Sequence, residues 1–109
     1  MYEIKLLEEA ENWLFDLPLA ERDEMLTLIN MLEKLGYELA YPYSKHLTGT
    51  KEKIKELRCK KFGNRLYYFH LKNKIYIGLL GGDKDSQIRD IKLADKKAKA
   101  IKQNKGVLA

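Results

Sequence analysis

Residues 53–80 read KIKELRCKKFGNRLYYFHLKNKIYIGLL, and this stretch decides the fold. Three runs rich in Ile, Leu, Tyr and Phe, from Lys53 to Phe62, Asn64 to Leu71 and Lys74 to Leu80, are divided by Gly63-Asn64 and Lys72-Asn73. Short aromatic and branched runs punctuated by turn residues predict antiparallel strands joined by tight turns. Ile75 to Leu80 is continuously apolar, which predicts the buried centre of a sheet, and Gly81-Gly82 predict its end.

Working outward, Tyr37 to Thr50 has no clean period and holds Pro42 and Gly49, so it predicts an irregular connection. Before it, Met25, Leu28, Ile29, Leu32 and Leu35 recur at helical spacing over Leu19 to Leu35, with Gly36 as the stop signal. Leu6 to Leu17 predicts another helix, with Trp13 and Leu14 inward and Pro18 ending it, and Tyr2 to Lys5 alternates as a short strand does. Beyond the meander, Ile88, Ile91, Ala94, Ala98 and Ile101 mark a final helix. The expectation is one α+β domain over residues 1–109: N-terminal strand, helical hairpin, antiparallel three-strand meander forming a small twisted sheet, C-terminal helix.

Composition supports a folded core, since 45% of the 109 residues are hydrophobic and 34% are charged. No apolar run approaches the roughly 20 residues a membrane helix needs. Glu3, Glu8, Glu9 and Glu11 do not suit a signal peptide, so a cytoplasmic location is expected. The single Cys59 has no internal disulfide partner and no nearby ligand set for structural zinc, and is expected to fill space in a strand. Charge is divided unevenly. Residues 1–50 hold four Lys or Arg against ten Asp or Glu, a balance of −6, whereas residues 51–109 hold 17 against six, a balance of +11. The basic half suits a polyanion, although a Lys-rich helix also serves as ordinary solvated surface.

Strand alternation selects among these cations, because residues two apart share a face. Leu57 and Cys59 take one face, leaving Glu56, Arg58 and Lys60 on the other; Leu66 and Tyr68 take the core parity, leaving Arg65, Tyr67 and Phe69 with Arg58. Pairing through a turn near Gly63 therefore brings Arg58, Arg65 and Tyr67 together on an open face. Two guanidinium forks and a phenol offer bidentate phosphate contacts and a stacking surface. The plain structural alternative is a surface salt bridge from Glu56 to one arginine. Gly81-Gly82-Asp83-Lys84 lacks the spacing of a nucleotide-binding P-loop. His46, in the irregular segment, and His70, with core parity near a strand end, suit surface and structural roles respectively.

Three blocks then carry a family likeness: Met1-Tyr2-Glu3-Ile4 before Trp13-Leu14; Glu56-Leu57-Arg58 followed by Gly63-Asn64-Arg65-Leu66-Tyr67-Tyr68; and Leu79-Leu80-Gly81-Gly82-Asp83-Lys84-Asp85-Ser86-Gln87 through Arg89-Asp90-Ile91 to Ala94. In order and spacing they resemble the RelE/ParE toxin superfamily of bacterial toxin–antitoxin systems, within it the HigB-like, phage-derived Gp49-like addiction module killers. The resemblance implies a RelE-like fold and a ribosome-dependent mRNA endonuclease that inhibits translation by metal-free attack of a ribose 2′-hydroxyl, without cofactor. It also implies a cognate antitoxin of helix-turn-helix type, mRNA in the ribosomal A site, DNA contacted only through the antitoxin complex, and no membrane.

By position, Arg65 matches the superfamily's strand arginine at the scissile phosphate, Arg58 a basic position beside it, and Lys84 a frequent functional cation. Tyr67 is the candidate for proton transfer or stacking; Lys45, Lys60, Lys61 and Arg89 are expected to bind the RNA backbone. The chain departs from the pattern at Asn64, where an aromatic often stands, and at Asp85, where many relatives carry Ser or Thr. A gyrase-inhibiting toxin of the ParE kind and a non-catalytic antitoxin partner remain alternatives on the same scaffold.

Overall fold

The computed structural model describes residues 1–104 and places β1 (Glu3–Leu6), α1 (Glu8–Asp16), α2 (Leu19–Leu35), a 3₁₀ turn (Gly36–Glu38), β2 (Ser44–His46), β3 (Lys55–Arg58), β4 (Arg65–Lys72), β5 (Ile75–Gly82) and α3 (Gln87–Gln103) in chain order. The last five residues of the expected domain, 105–109, lie outside the described residues. Local chemistry explains the helix ends. Glu8, Glu9 and Glu11 sit in the first turn of α1, where the helix dipole favours negative charge. Gly36 closes α2 with φ +56°, and a Cβ there would lie 2.2 Å from the Tyr2 ring, so both backbone and packing require glycine.

The strands form one sheet in the order β1-β5-β4-β3-β2. β1 runs parallel to β5, and the remaining neighbours are antiparallel. On one face α1 and α2 pack Leu14, Met25, Leu28, Ile29 and Leu32 against Leu57, Leu66, Tyr68 and Tyr76. On the other, Ala94 and Ala98 of α3 cover Tyr67, Phe69, Ile77 and Leu79. Each fully buried Leu or Ile contributes roughly 1.5–3 kcal/mol, so both helical layers are firmly held. Among the described residues, no helix is long and apolar enough to cross a membrane.

The α+β class and element order agree with the sequence reading, and the differences are local. The sheet has five strands because Ser44–His46, inside the segment expected to be irregular, pairs with β3. The middle strand is β4, not the apolar β5. Gly81 and Gly82 do not break β5 but belong to it. Their missing side chains admit Trp13 on one side, 2.1 Å from where a Cβ would stand, and Asp90 on the other, at 2.0 Å. A bulge pairs Tyr67 with Leu80 but Tyr68 with Gly78, skipping Leu79, so Leu79 and Leu80 both join the α3 cluster. Ile88 is 77% exposed, and the buried stripe of α3 uses Asp90 with Ala94 and Ala98. His70 is exposed, its Nε2 2.6 Å from the carbonyl of Asn73 at the β4–β5 turn.

Candidate functional site

Three strand ends meet at one edge of the molecule. Arg58, the last residue of β3, pairs directly with Arg65, the first of β4, and Arg65 pairs with Gly82 at the end of β5. A four-residue loop, residues 60–63, closes the β3–β4 hairpin: the N–H of Cys59 donates to Asn64 and that of Gly63 to Cys59, both at 2.8 Å. Gly63 takes φ +78°, which glycine adopts without strain. Lys84 follows two residues after Gly82. The result is a cleft of about 280 Å³ lined by Tyr41, Pro42, Arg58, Cys59, Lys60, Gly63, Arg65 and Lys84.

Four cations thus share one small cleft, and their surroundings differ. Arg65 is buried, 3% exposed, with Nη1 donating to the Gly63 carbonyl at 2.8 Å. Its Nε lies 3.3 Å from Oε2 of the fully buried Glu56, an ion pair without hydrogen-bond alignment. Glu56 Oε2 is also 3.8 Å from Nε of Arg58, whose side chain is 34% exposed, and Gln87 donates to Oε1 at 3.3 Å. One buried carboxylate therefore orients both arginines from behind, while the guanidinium forks keep further N–H donors for an anion in the cleft. An Arg fork can grip two oxygens of one phosphate, and Lys60 and Lys84 add protonated amines at the rim.

The face expected to be open is covered over most of its length by α3, and this changes two readings. The Glu56 ion pair is buried, not superficial. Tyr67 is fully buried, does not line the cleft, and its hydroxyl has no hydrogen-bond partner among the described residues. Burial, followed by the Glu56 charge, raises its pKa well above that of an ordinary phenol. Tyr67 offers no stacking surface. Cys59 is buried just beyond β3, as a space-filling residue would be.

The outlying candidates divide. Lys61 joins Arg58 and Lys60 in a neighbouring groove with Pro42 and Tyr43. Lys45 and His46 lie exposed on the edge strand β2, along a separate groove with Lys55. Arg89, 80% exposed on α3, has its Nε 3.8 Å from Asp90 and does not line the cleft. Sequence reasoning missed Tyr41 as a wall of the cleft and Glu56 as its organiser. Only the shared parity of Glu56 with Arg58 signalled the latter.

A five-stranded sheet between a helical hairpin and a C-terminal helix, in this element order, is the RelE fold. The isolated Escherichia coli RelE toxin matches with a TM-score of 0.64 at 14% identity, over 84% of this chain and 97% of that one. RelE in the intact E. coli RelBE toxin–antitoxin complex matches with a TM-score of 0.62 at 15% identity, over 76% and 96%. The archaeal RelE–RelB complex of Pyrococcus horikoshii gives 0.58 at 20% identity, over 76% and 94%. No curated protein matches the chain. The family model described as phage-derived protein Gp49-like (DUF891) matches residues 12–105, and the chain belongs to that family.

Proposed function

We propose that the protein is the toxin of a type II toxin–antitoxin system and cleaves mRNA on the ribosome, where it is read in the A site. The observation that carries this reading is the convergence of Arg58, Lys60, Arg65 and Lys84 on one cleft. The RelE-class fold supports it. In this reaction the ribose 2′-hydroxyl gives its proton to water as its oxygen attacks the adjacent phosphorus, the bond to the 5′-oxygen breaks, and a 2′,3′-cyclic phosphate and a 5′-hydroxyl result. Arg65 and Arg58 bind the phosphate oxygens and stabilise the charge of the phosphorane, a role for fixed donors in a partly dry site. Lys60 and Lys84 carry the protons that the departing 5′-oxygen requires, since Tyr67 lies behind the cleft. Lys45 and Lys61 extend the backbone grip, with Arg89 a peripheral contact. A cognate antitoxin restrains the activity and provides the link to DNA.

One observation favours a second reading. Glu56 offsets part of the charge of both arginines, as suits a non-catalytic homologue that serves only as its antitoxin's partner. Inducing the protein without antitoxin, while mapping mRNA 5′ ends and DNA breaks together, separates the readings. The mRNA endonuclease gives codon-positioned mRNA cuts and growth arrest, and Arg65→Lys, which keeps a cation beside the buried Glu56 but loses the guanidinium fork, abolishes both while staying folded and antitoxin-bound. Retained toxicity of Arg65→Lys overturns the site assignment. DNA breaks without mRNA cuts identify a gyrase poison, and a harmless wild-type protein identifies the non-catalytic partner.

A further inference from the structure

Tyr41 stands on the boundary between two hollows. It lines the arginine cleft, and it also lines the groove along β2 formed with Leu39, Ala40, Ser44, Lys45, His46 and Lys55. The side chain is 71% exposed. Among the described residues no aromatic ring or cation lies over it, whereas the equally exposed Tyr37 has an edge-to-face contact with Tyr2 at 6.4 Å. The backbone beneath it is tied down: Tyr43 and Ser44 donate to the Ala40 carbonyl at 3.0 and 3.2 Å, and Arg58 donates to the Tyr43 carbonyl at 2.9 Å. A large ring is thus held in water by a fixed turn, with cations on both sides. Fixing the platform beforehand lowers the ordering cost of binding.

That arrangement matches the way proteins hold single strands, in which a basic track follows the backbone and aromatic rings take the bases. Resting on the reading of the cleft as an RNA site, we propose that Tyr41 stacks a base next to the scissile phosphate. The strand then passes from the cleft over the ring into the β2 groove, where Lys45 and Lys55 take the following phosphates. Tyr41 in this role is a positioning residue that sets which nucleotide lies in the cleft.

The test uses the full chain and a labelled 2′-O-methyl RNA that cannot be cleaved, free and on ribosomes programmed with it. A single abasic site is moved along the RNA. Base–aromatic stacking is worth about 1–3 kcal/mol, so Tyr41→Ala weakens binding about tenfold, and Tyr41→Trp restores it. The loss disappears for the RNA whose abasic site falls at the stacked position, because that base is already missing. An equal loss for every abasic RNA, or no loss at all, overturns the stacking role. If Arg58→Ala weakens binding while Tyr41→Ala does not, the cleft reading stands and the inference alone fails. If the wild-type protein shows no mRNA-dependent binding in either setting, the RNA reading fails with it.

Discussion

Glu56 sets the balance of the site at the level of single residues. It is fully buried, faces Arg65 at 3.3 Å and Arg58 at 3.8 Å, and is the nearest counter-charge for a guanidinium that is itself buried. Removing one partner of a buried ion pair costs about 3–5 kcal/mol because the other is left as an uncompensated charge. Glu56→Ala is therefore expected to lower unfolding free energy by about 3 kcal/mol in urea titration. A change below about 1 kcal/mol, the range of surface pairs, would show that solvent reaches the pair. Alternation placed Arg58, Arg65 and Glu56 on one side correctly, since parity depends only on the strand. Depth was not legible. Whether a face is open or roofed depends on where α3 returns, and nothing in residues 53–69 records that, so Tyr67 looked exposed and Glu56 superficial.

Among the elements, β2 is the one that sequence could not show. Ser44-Lys45-His46 has no apolar alternation, and its strand character comes from pairing with β3. A side chain from two strands away anchors it. Tyr68 of β4 reaches Ser44, with the two hydroxyl oxygens 2.6 Å apart in a buried hydrogen bond. Burial pushes the Tyr68 phenol up to about 12, with the Ser44 hydrogen bond acting the other way. Burial of Tyr67 and Tyr76 raises theirs as well. An acid whose folded pKa exceeds its unfolded value of about 10 contributes stability that is fully present below pH 10. It is lost as pH rises through the folded value. The expected urea midpoint is level up to about pH 9.5 and falls above pH 10, with Tyr68 accounting for a loss of about 2 kcal/mol by pH 12. Tyr68→Phe should make that decline shallower, whatever it does to stability at neutral pH. An unchanged slope would mean that the phenol ionises without regard to the fold.

For the molecule as a whole, the charge division along the chain becomes a division across the sheet. The acidic residues of α1 and α2 lie over one face and the Lys-rich α3 over the other, yet the cleft draws its cations from neither helix layer. Arg58, Lys60, Arg65 and Lys84 come from strand ends and the loops between them, while Lys97 and Lys102 of α3 are paired with Glu9 at 3.6 Å and Glu52 at 3.2 Å. Counting charge by sequence half gave every basic residue equal weight, whereas topology singles out four. Salt dependence measures the distinction, because each phosphate contact on a single strand adds about 0.7 to the slope of log K against log salt. Replacing Lys60 or Lys84 with Gln is expected to lower that slope by about 0.7 each for an uncleavable RNA. Replacing the exposed Lys92 or Lys96 with Gln is expected to leave it unchanged. Equal drops for both pairs would spread the polyanion over α3 and remove the cleft's claim to it.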